Sequence, residues 1–325
     1  MIYTLTLNPA VDYVMEVDAL CPGGTNRARG ARLHFGGKGV NVSAVLKELG
    51  VETVALGFVA GFTGEALERD AARRGIPTDF IRLSEGHTRI NVKLRGEVET
   101  ELNAPGPTVT EADITRLFGK LEQVKVGDTL VLSGSVPPGL ASTVYADILS
   151  ALAGRGIRFA VDAAGELLRH TLPHRPFLIK PNRSELEGLC GRALTDDDQL
   201  TQAARTLQAQ GAQNVLVSLG PDGALLLDGQ GRVHRRRALP GKAVNTIGAG
   251  DSMLAGFFAG LEQNVAHSLS SDGIPGRDIT SLPGMSGLEQ DIDCALDLAV
   301  AAGCATAFSP CLATRADISV LYPEL

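Results

Sequence analysis

The sequence predicts an α/β protein, a mainly parallel sheet between two helical layers with a small β-lid, and three observations predict it. Short, wholly apolar runs recur along the chain, the pattern of strands buried on both faces. Segments with apolar residues at helical spacing alternate with them, which is the rhythm of β-α units in a parallel sheet. Two regions, at about 11–35 and 88–104, break that rhythm with extra strands, and together they supply the lid. In a sheet of this kind ligands gather beyond the carboxyl ends of the strands.

The first run, 2–7, ends at Asn8-Pro9 and predicts a buried strand. A second strand spans 11–17, and Cys21-Pro-Gly-Gly24 makes a turn. A third is expected over 27–35, with Arg27, Arg29, Ala31, Leu33 and Phe35 on one face by the two-residue period. Gly36-Gly-Lys-Gly-Val-Asn41 then leads into a helix through Leu49, which Gly50 closes. A buried strand at 54–59 and a helix at 64–74, stopped by Gly75, follow. Strands at 88–94 and 99–103 flank Arg95-Gly-Glu-Val98, which predicts a hairpin. In its first strand Arg89, Asn91 and Lys93 share a face that suits either a solvated edge or a phosphorylated ligand. For a ligand-binding lid, the opposite apolar face needs cover, as a second subunit would give.

Past Pro105-Gly-Pro107, Thr110 and Asp113 form a near capping box. A strand at 129–132 leads into Ser133-Gly-Ser-Val-Pro-Pro-Gly139 and a helix through Leu152. Strands at 157–161 and 177–179 come next, the latter ending at Lys180-Pro-Asn182. Thr195-Asp-Asp-Asp198 caps a helix to Gln210, and strands at 215–217, 224–227 and 233–236 have glycine turns between them. Residues 264–289, rich in Ser, Gly and Pro without periodicity, predict a loop insertion. The last helix, 291 to about 308, is rich in Ala and Gly, which allows close approach by a neighbouring helix or a ligand ring.

The 325 residues suit one domain, 1–325, and 44% apolar residues can fill its core. A net charge of −7 without a long basic run argues against nucleic acid as a partner. Five scattered cysteines with no C-x-x-C pair read as reduced thiols and argue against zinc. The opening Met-Ile-Tyr-Thr-Leu-Thr-Leu reads as a strand rather than a signal peptide, and no stretch approaches a membrane span. A cytoplasmic protein with no membrane partner is expected.

The chemistry concentrates in Asn245-Thr-Ile-Gly-Ala-Gly-Asp-Ser252. A Gly-rich turn here opens a helix whose Leu254, Phe257, Phe258 and Leu261 make one apolar face. The unpaired N–H groups at such a helix start form an anion site. Asp251 beside them reads either as a plain N-cap or as an acid set against that anion. Other phosphate and nucleophile signatures are missing. There is no G-x-x-x-x-G-K-[S/T] loop, no G-x-G-x-x-G turn after the first strand and no G-x-S-x-G elbow.

Two segments resemble signatures of the PfkB/ribokinase family of carbohydrate kinases: Gly36-Gly-Lys-Gly-Val-Asn41-Val-Ser-Ala and Asn245-Thr-Ile-Gly-Ala-Gly-Asp251-Ser-Met-Leu-Ala-Gly256. Further segments agree in order, among them Leu7-Asn-Pro-Ala-Val-Asp12, Thr88-Arg-Ile-Asn-Val-Lys93, Lys180-Pro-Asn-Arg-Ser-Glu185 and Ser218-Leu-Gly-Pro-Asp-Gly-Ala224. The resemblance covers nearly the whole chain except 264–289, and it lies with the branch acting on sugar phosphates. It implies a ribokinase-like three-layer sandwich and a kinase using ATP and Mg²⁺. The implied reaction converts a phosphorylated ketohexose, fructose 1-phosphate, to fructose 1,6-bisphosphate; tagatose 6-phosphate and fructose 6-phosphate are alternatives.

By the same resemblance Asp251 is the base, and Gly248, Ala249 and Gly250 stabilise the transferring phosphoryl group. At a helix start the Asp251 pKa is expected to be lowered. Asp12, Gly37 and Asn41 would hold sugar hydroxyls, and Arg27, Lys38 and Arg89 the substrate's phosphate. Lys180, Asn182, Ser218, Gly220 and Gly223 would line the nucleotide side. Asn182 and Glu185 would act on Mg²⁺ through water, although Glu185 also reads as an ordinary first-turn acid. A homodimer through the lid is implied. A reading of another class, a non-catalytic sugar-phosphate-binding regulator, is opposed by Asp251 standing intact beside Gly-Ala-Gly.

Overall fold

The computed structural model describes residues 1–271 and 285–325, with side chains for 1–263 and 292–325. The first third of the chain forms β1 (Ile2–Thr6), β2 (Ala10–Glu16), β3 (Gly30–Gly36), α1 (Lys38–Glu48), β4 (Thr53–Ala60), α2 (Gly61–Arg73), β5 (Ile81–Leu83), β6 (Arg89–Arg95) and β7 (Thr100–Leu102). The middle forms α3 (Glu111–Leu121), β8 (Thr129–Ser133), α4 (Val144–Ala151), β9 (Arg158–Asp162), α5 (Gly165–Arg169), β10 (Leu178–Ile179), α6 (Arg183–Cys190) and α7 (Asp197–Ala209). The remainder forms β11 (Asn214–Ser218), β12 (Ala224–Leu227), β13 (Val233–Arg236), α8 (Ala249–Ser271), α9 (Met285–Phe308) and α10 (Arg315–Leu321).

Nine strands make the main sheet, in the order β13-β12-β11-β10-β9-β8-β1-β4-β5. From β11 to β5 every pairing is parallel, and β12 and β13 close one edge antiparallel. The apolar runs earn their strands by burial on both faces. Leu5, Leu130, Val161, Ile179 and Val215 point to the layer of α3, α4 and α7. Their neighbours Ile2, Val131, Ala160, Leu178 and Leu216 point to the layer of α1, α8 and α9. The three-layer α/β arrangement is thus the one expected. Strand order reverses at β1, which lies between β4 and β8, so the crevice for a ligand opens there.

The second sheet has the order β3-β2-β6-β7 and contains the expected hairpin as β6–β7. Registry puts Val11, Tyr13, Leu33, Phe35, Ile90, Val92 and Leu102 on one face. Leu33, Ile90 and Leu102 on that face are 53%, 41% and 59% exposed. Asp12, Arg89, Asn91 and Lys93 fall on the other face, which overhangs the main sheet's crevice.

Three expectations need correction. The third strand starts at Gly30, not at residue 27, because Asn26 folds its amide back onto Cys21 and Gly24 and closes a loop first. The helix after Gly248 has no polar face over 251–260: every residue there is buried. Gly256 and Gly260 let α9 in so close that a Cβ would stand 2.6 Å from Leu298 O or Ala295 Cα. The insertion expected at 264–289 is helical at both ends, through Ser271 in α8 and from Met285 in α9, so α9 starts earlier than residue 291. No Gly or Pro occurs between 264 and 272 to stop helix propagation; residues 272–284 of that expectation lie outside the described residues. Finally, β5, α5, α6 and α10 are too short to announce themselves by periodicity. No described helix is long and apolar enough to cross a membrane.

Candidate active site

A cleft of about 970 Å³ lies between the carboxyl ends of the main sheet and the polar face of the second sheet. Its lining includes Asp12, Gly37, Lys38, Asn41, Arg89, Lys180, Asn182, Ser218, Gly220, Gly223, Gly248, Ala249, Gly250 and Asp251. Each comes from an element end. Asp12 and Arg89 hang from the second sheet, and Lys38 and Asn41 sit on the first turn of α1. Lys180 follows β10, Ser218 ends β11, and Asp251 is in the first turn of α8. Of the residues proposed from sequence, two do not line the cleft. Arg27 is exposed in the loop before β3, and Glu185 lies behind Lys38.

The turn before α8 is shaped by glycine. Gly248 has φ +79°, and a Cβ there would strike the Leu312 side chain. Ala249 N–H donates to Thr246 O, whereas the N–H groups of Gly248 and Gly250 find no acceptor among the described residues. They remain available to an anion, in keeping with the N-terminal end of a helix. Asp251 is buried beside them, and its Oδ2 accepts a 2.8 Å hydrogen bond from Asn41 Nδ2. Gly36 makes room for that amide, since a Cβ at 36 would fall 2.5 Å from Asn41 Oδ1.

Sequence reasoning missed Asp162, the last residue of β9. It is fully buried and pairs with two lysines, Lys38 at 2.9 Å and Lys180 at 3.3 Å. Lys38 reaches Glu185 Oε1 as well, at 3.7 Å. The available signal is an acid directly after the apolar residues Phe159-Ala-Val161, at the end of a strand where ligands gather. Burial opposes the Asp162 charge, but the Lys180 and Lys38 ammonium groups outweigh it and lower the pKa. Burial likewise opposes the Lys38 charge, and Asp162, Glu185 and Asp251 together raise its pKa.

Asp251 moves the other way. Burial, then the neighbouring Asp162 charge, push its pKa up to about 6 against the opposing effects of Lys38, Asn41 and Lys180. The lowering expected from the helix end is therefore reversed. The field of one helix terminus is a modest effect beside desolvation of a buried carboxylate next to a second one.

On the overhanging side, Asp12 Oδ1 accepts from Asn91 Nδ2 at 2.9 Å, and Asn91 Oδ1 accepts from Ala104 N at 3.2 Å. Arg89 makes one long bond, 3.5 Å to Ala104 O, and its buried Nε has no acceptor among the described residues. Burial lowers its pKa despite the nearby Asp12. A half-buried guanidinium with bonding capacity to spare is suited to an anion. Lys93 is tied to Glu101 at 2.8 Å.

The far wall is apolar, with Leu239, Met253, Val300, Gly303, Ala307 and Phe308 around the turn at Gly220–Asp222. Asn182 caps α6: its Oδ1 accepts from Glu185 N, and Glu185 Oε2 accepts from Asn182 N, each at 2.8 Å. No group of three or more His, Cys, Asp or Glu side chains suited to a metal occurs among the described residues. Asp162 is enclosed by its two lysines, whereas Glu185 keeps a partly exposed carboxylate beside Lys38, a hard oxygen that suits a largely hydrated Mg²⁺ carried in by phosphates.

Known proteins resemble this chain in sequence and fold. The chain is 39% identical over 325 residues to 1-phosphofructokinase of Bacillus subtilis, covering 100% of this chain and 98% of the relative. It is 39% identical over 258 residues to D-tagatose-1-phosphate kinase of Bacillus licheniformis, covering 79% of this chain and 84% of the relative. The crystal structure of phosphofructokinase-2 from Escherichia coli in complex with substrates and products superposes with a TM-score of 0.83 at 30% identity, covering 100% of this chain and 99% of that one. Residues 5–310 match the pfkB family carbohydrate kinases, and with the fold and this cleft in view the chain belongs to that family.

Proposed function

We propose that the chain transfers the γ-phosphoryl group of ATP to fructose 1-phosphate, giving fructose 1,6-bisphosphate and ADP. The observation that carries the reading is Asp251. A buried carboxylate with its pKa near 6 stands beside free backbone N–H groups, facing a cleft with cations on one side and a nucleotide-sized apolar wall on the other. Asn41 holds Oδ2, which leaves Oδ1 for the attacking hydroxyl. As the new O–P bond forms and the β–γ bridging bond breaks, the hydroxyl proton passes to Asp251. The Gly248, Ala249 and Gly250 turn faces the charge on the moving phosphoryl group. A raised pKa makes Asp251 a stronger base than an ordinary carboxylate while leaving it ionised at pH 7.

Arg89, Lys38 and, from the loop before β3, Arg27 are the candidates for the phosphate already on the sugar, with Asp12 and Gly37 on its hydroxyls. Lys180, Ser218, Gly220 and Gly223 serve the nucleotide side. Mg²⁺ bound with ATP would offset phosphate charge, with Glu185 and Asn182 acting on it through water and the cap between them fixing the Glu185 carboxylate. The exposed apolar face of the second sheet supports a homodimer in which two such faces cover each other. A cytoplasmic location suits this chemistry.

A second substrate, tagatose 1-phosphate, is favoured by the tagatose-1-phosphate kinase relative. It keeps the phosphate at the same end and so presents the same hydroxyl to Asp251. Steady-state turnover of ATP with fructose 1-phosphate, tagatose 1-phosphate, fructose 6-phosphate and unphosphorylated fructose tests the reading. The highest kcat/KM is expected for a 1-phosphate, and no turnover with any of the four would sink it.

A further inference from the structure

Among the described residues, one polar contact joins the second sheet directly to the turn that carries the free N–H groups. Arg95, the last residue of β6, donates from Nη2 to Asn245 Oδ1 at 2.7 Å. Asn245 is the first residue of the 245–250 turn and is 5% exposed. Its oxygen has two acceptor sites, and both are used: the second takes the Ile247 N–H at 3.2 Å, inside the turn itself. Its Nδ2 donates to Pro310 O at 3.3 Å, and its N–H to Ala307 O at 3.1 Å. Asn245 is therefore a junction where the turn, the end of α9 and the overhanging sheet meet.

We infer that Arg95 is a positioning residue that sets the phosphoryl-binding turn according to the placement of the overhanging sheet. The inference rests on the kinase reading above, because it concerns when the Gly248–Gly250 N–H groups are correctly aimed. Three features carry it. The bond is charge-assisted and short, so it is stronger than the neutral bonds around it. The Arg95 main chain is fixed, since its carbonyl accepts from Val17 N at 2.8 Å beside β2. And Asn245 borders a cavity of about 360 Å³ behind Asn41, so open space rather than packed side chains lies on that side of the turn. Strand β6 thus holds both ends of the reaction. Arg89 and Asn91 face the cleft near its start, and Arg95 grips the turn from its end. A sugar phosphate that draws the overhanging sheet inward would pull on the turn through this one bond. The competing partner of Arg95, Glu99 at 3.8 Å, is 55% exposed and too distant for a hydrogen bond.

A double-mutant cycle with Arg95→Met and Asn245→Ala tests this, each variant first checked for a wild-type-like circular dichroism spectrum. Arg95→Met keeps the aliphatic stem and removes the donor. In protein without substrate, amide hydrogen exchange of the peptide spanning 245–251 should accelerate about tenfold in Arg95→Met, the loss expected for one charged hydrogen bond. In the Asn245→Ala background the same change should add nothing. With whichever sugar phosphate the wild type turns over, Arg95→Met should lower kcat about tenfold with KM for ATP within about twofold, and Arg95→Lys should recover part of it. Unchanged exchange at 245–251, or effects of the two substitutions that simply multiply, would overturn the inference. The exchange arm decides even if no sugar phosphate is turned over, an outcome that would instead count against the kinase reading.

Discussion

The two sheets bordering the cleft are built to opposite rules. The main sheet is buried on both faces, and at its carboxyl end the Asp162 charge is held between Lys38 and Lys180. The second sheet is half-covered. One face is apolar and partly exposed, and the other carries Arg89 with bonding capacity unused. The difference separates two jobs. Chemistry needs charges that do not move as the phosphoryl group passes, and a buried, mutually neutralised set provides them. Recognition of the sugar phosphate needs groups whose partner is the ligand itself, and those must stay under-satisfied until it arrives. Asp251 lies where the two meet, and its raised pKa arises from the floor, through burial and the Asp162 charge.

The largest expected effect is on the floor. Asp162→Asn removes the counter-charge of two lysines and should destabilise the fold by about 3 kcal/mol or more, read from denaturant unfolding at pH 7. The sign with pH also distinguishes the two acids. Asp162 has a lowered folded pKa, so its stabilisation is present above the ordinary carboxylate range and fades as pH falls through the folded value. Asp251, raised to about 6, does the reverse: its contribution is full below the ordinary range and is lost as pH rises through about 6. Acid titration of Asp162→Asn should accordingly lack the stability loss that Asp162 gives the wild type. An Asp162→Asn protein as stable as wild type would mean that the lysine pair is not held by that charge.

On the overhanging sheet the effects should be smaller and fall on binding. Arg89→Ala should raise KM for the sugar phosphate roughly 10- to 100-fold, about 1.5–3 kcal/mol for a charged hydrogen bond, with unfolding unchanged. A KM equal to wild type would move the phosphate site elsewhere. Least costly to the folded chain is Leu102→Glu on the exposed apolar face. It should leave unfolding of the protomer within about 0.5 kcal/mol while converting a dimer to a monomer in sedimentation. A dimer unaffected by that charge would place the interface on another surface.

The same contrast explains what could be read from sequence. The floor's strands are legible because burial on both faces leaves short runs rich in Val, Leu and Ile, and β1, β8 and β11 fall within one or two residues of the expected bounds. The hairpin is legible from its alternation, and the capping box at Thr110 from its spacing. Long-range pairing leaves no local trace. Nothing near residue 162 announces lysines 124 and 18 residues away in the chain, and their pairing exists only once β9, β10 and α1 are side by side. The Asp251 pKa departs from its sequence expectation for the same reason, since a helix end is visible in sequence and burial beside Asp162 is not. Likewise α8 shows an apolar stripe locally, but the Ala- and Gly-rich α9 packs so closely against it that over 251–260 its other faces are buried as well.

The central claim, that a buried Asp251 with a raised pKa takes the sugar's proton, is tested most directly by the pH profile of kcat/KM for fructose 1-phosphate in the wild type and in Asp251→Asn. The wild type should show an acid limb near pH 6, because protonated Asp251 cannot act as base. Asp251→Asn should lose at least about 10²-fold in kcat, retain ATP binding, and show no such limb. A near-normal kcat in Asp251→Asn, or an acid limb unchanged by the substitution, would contradict the account and reduce Asp251 to a helix cap.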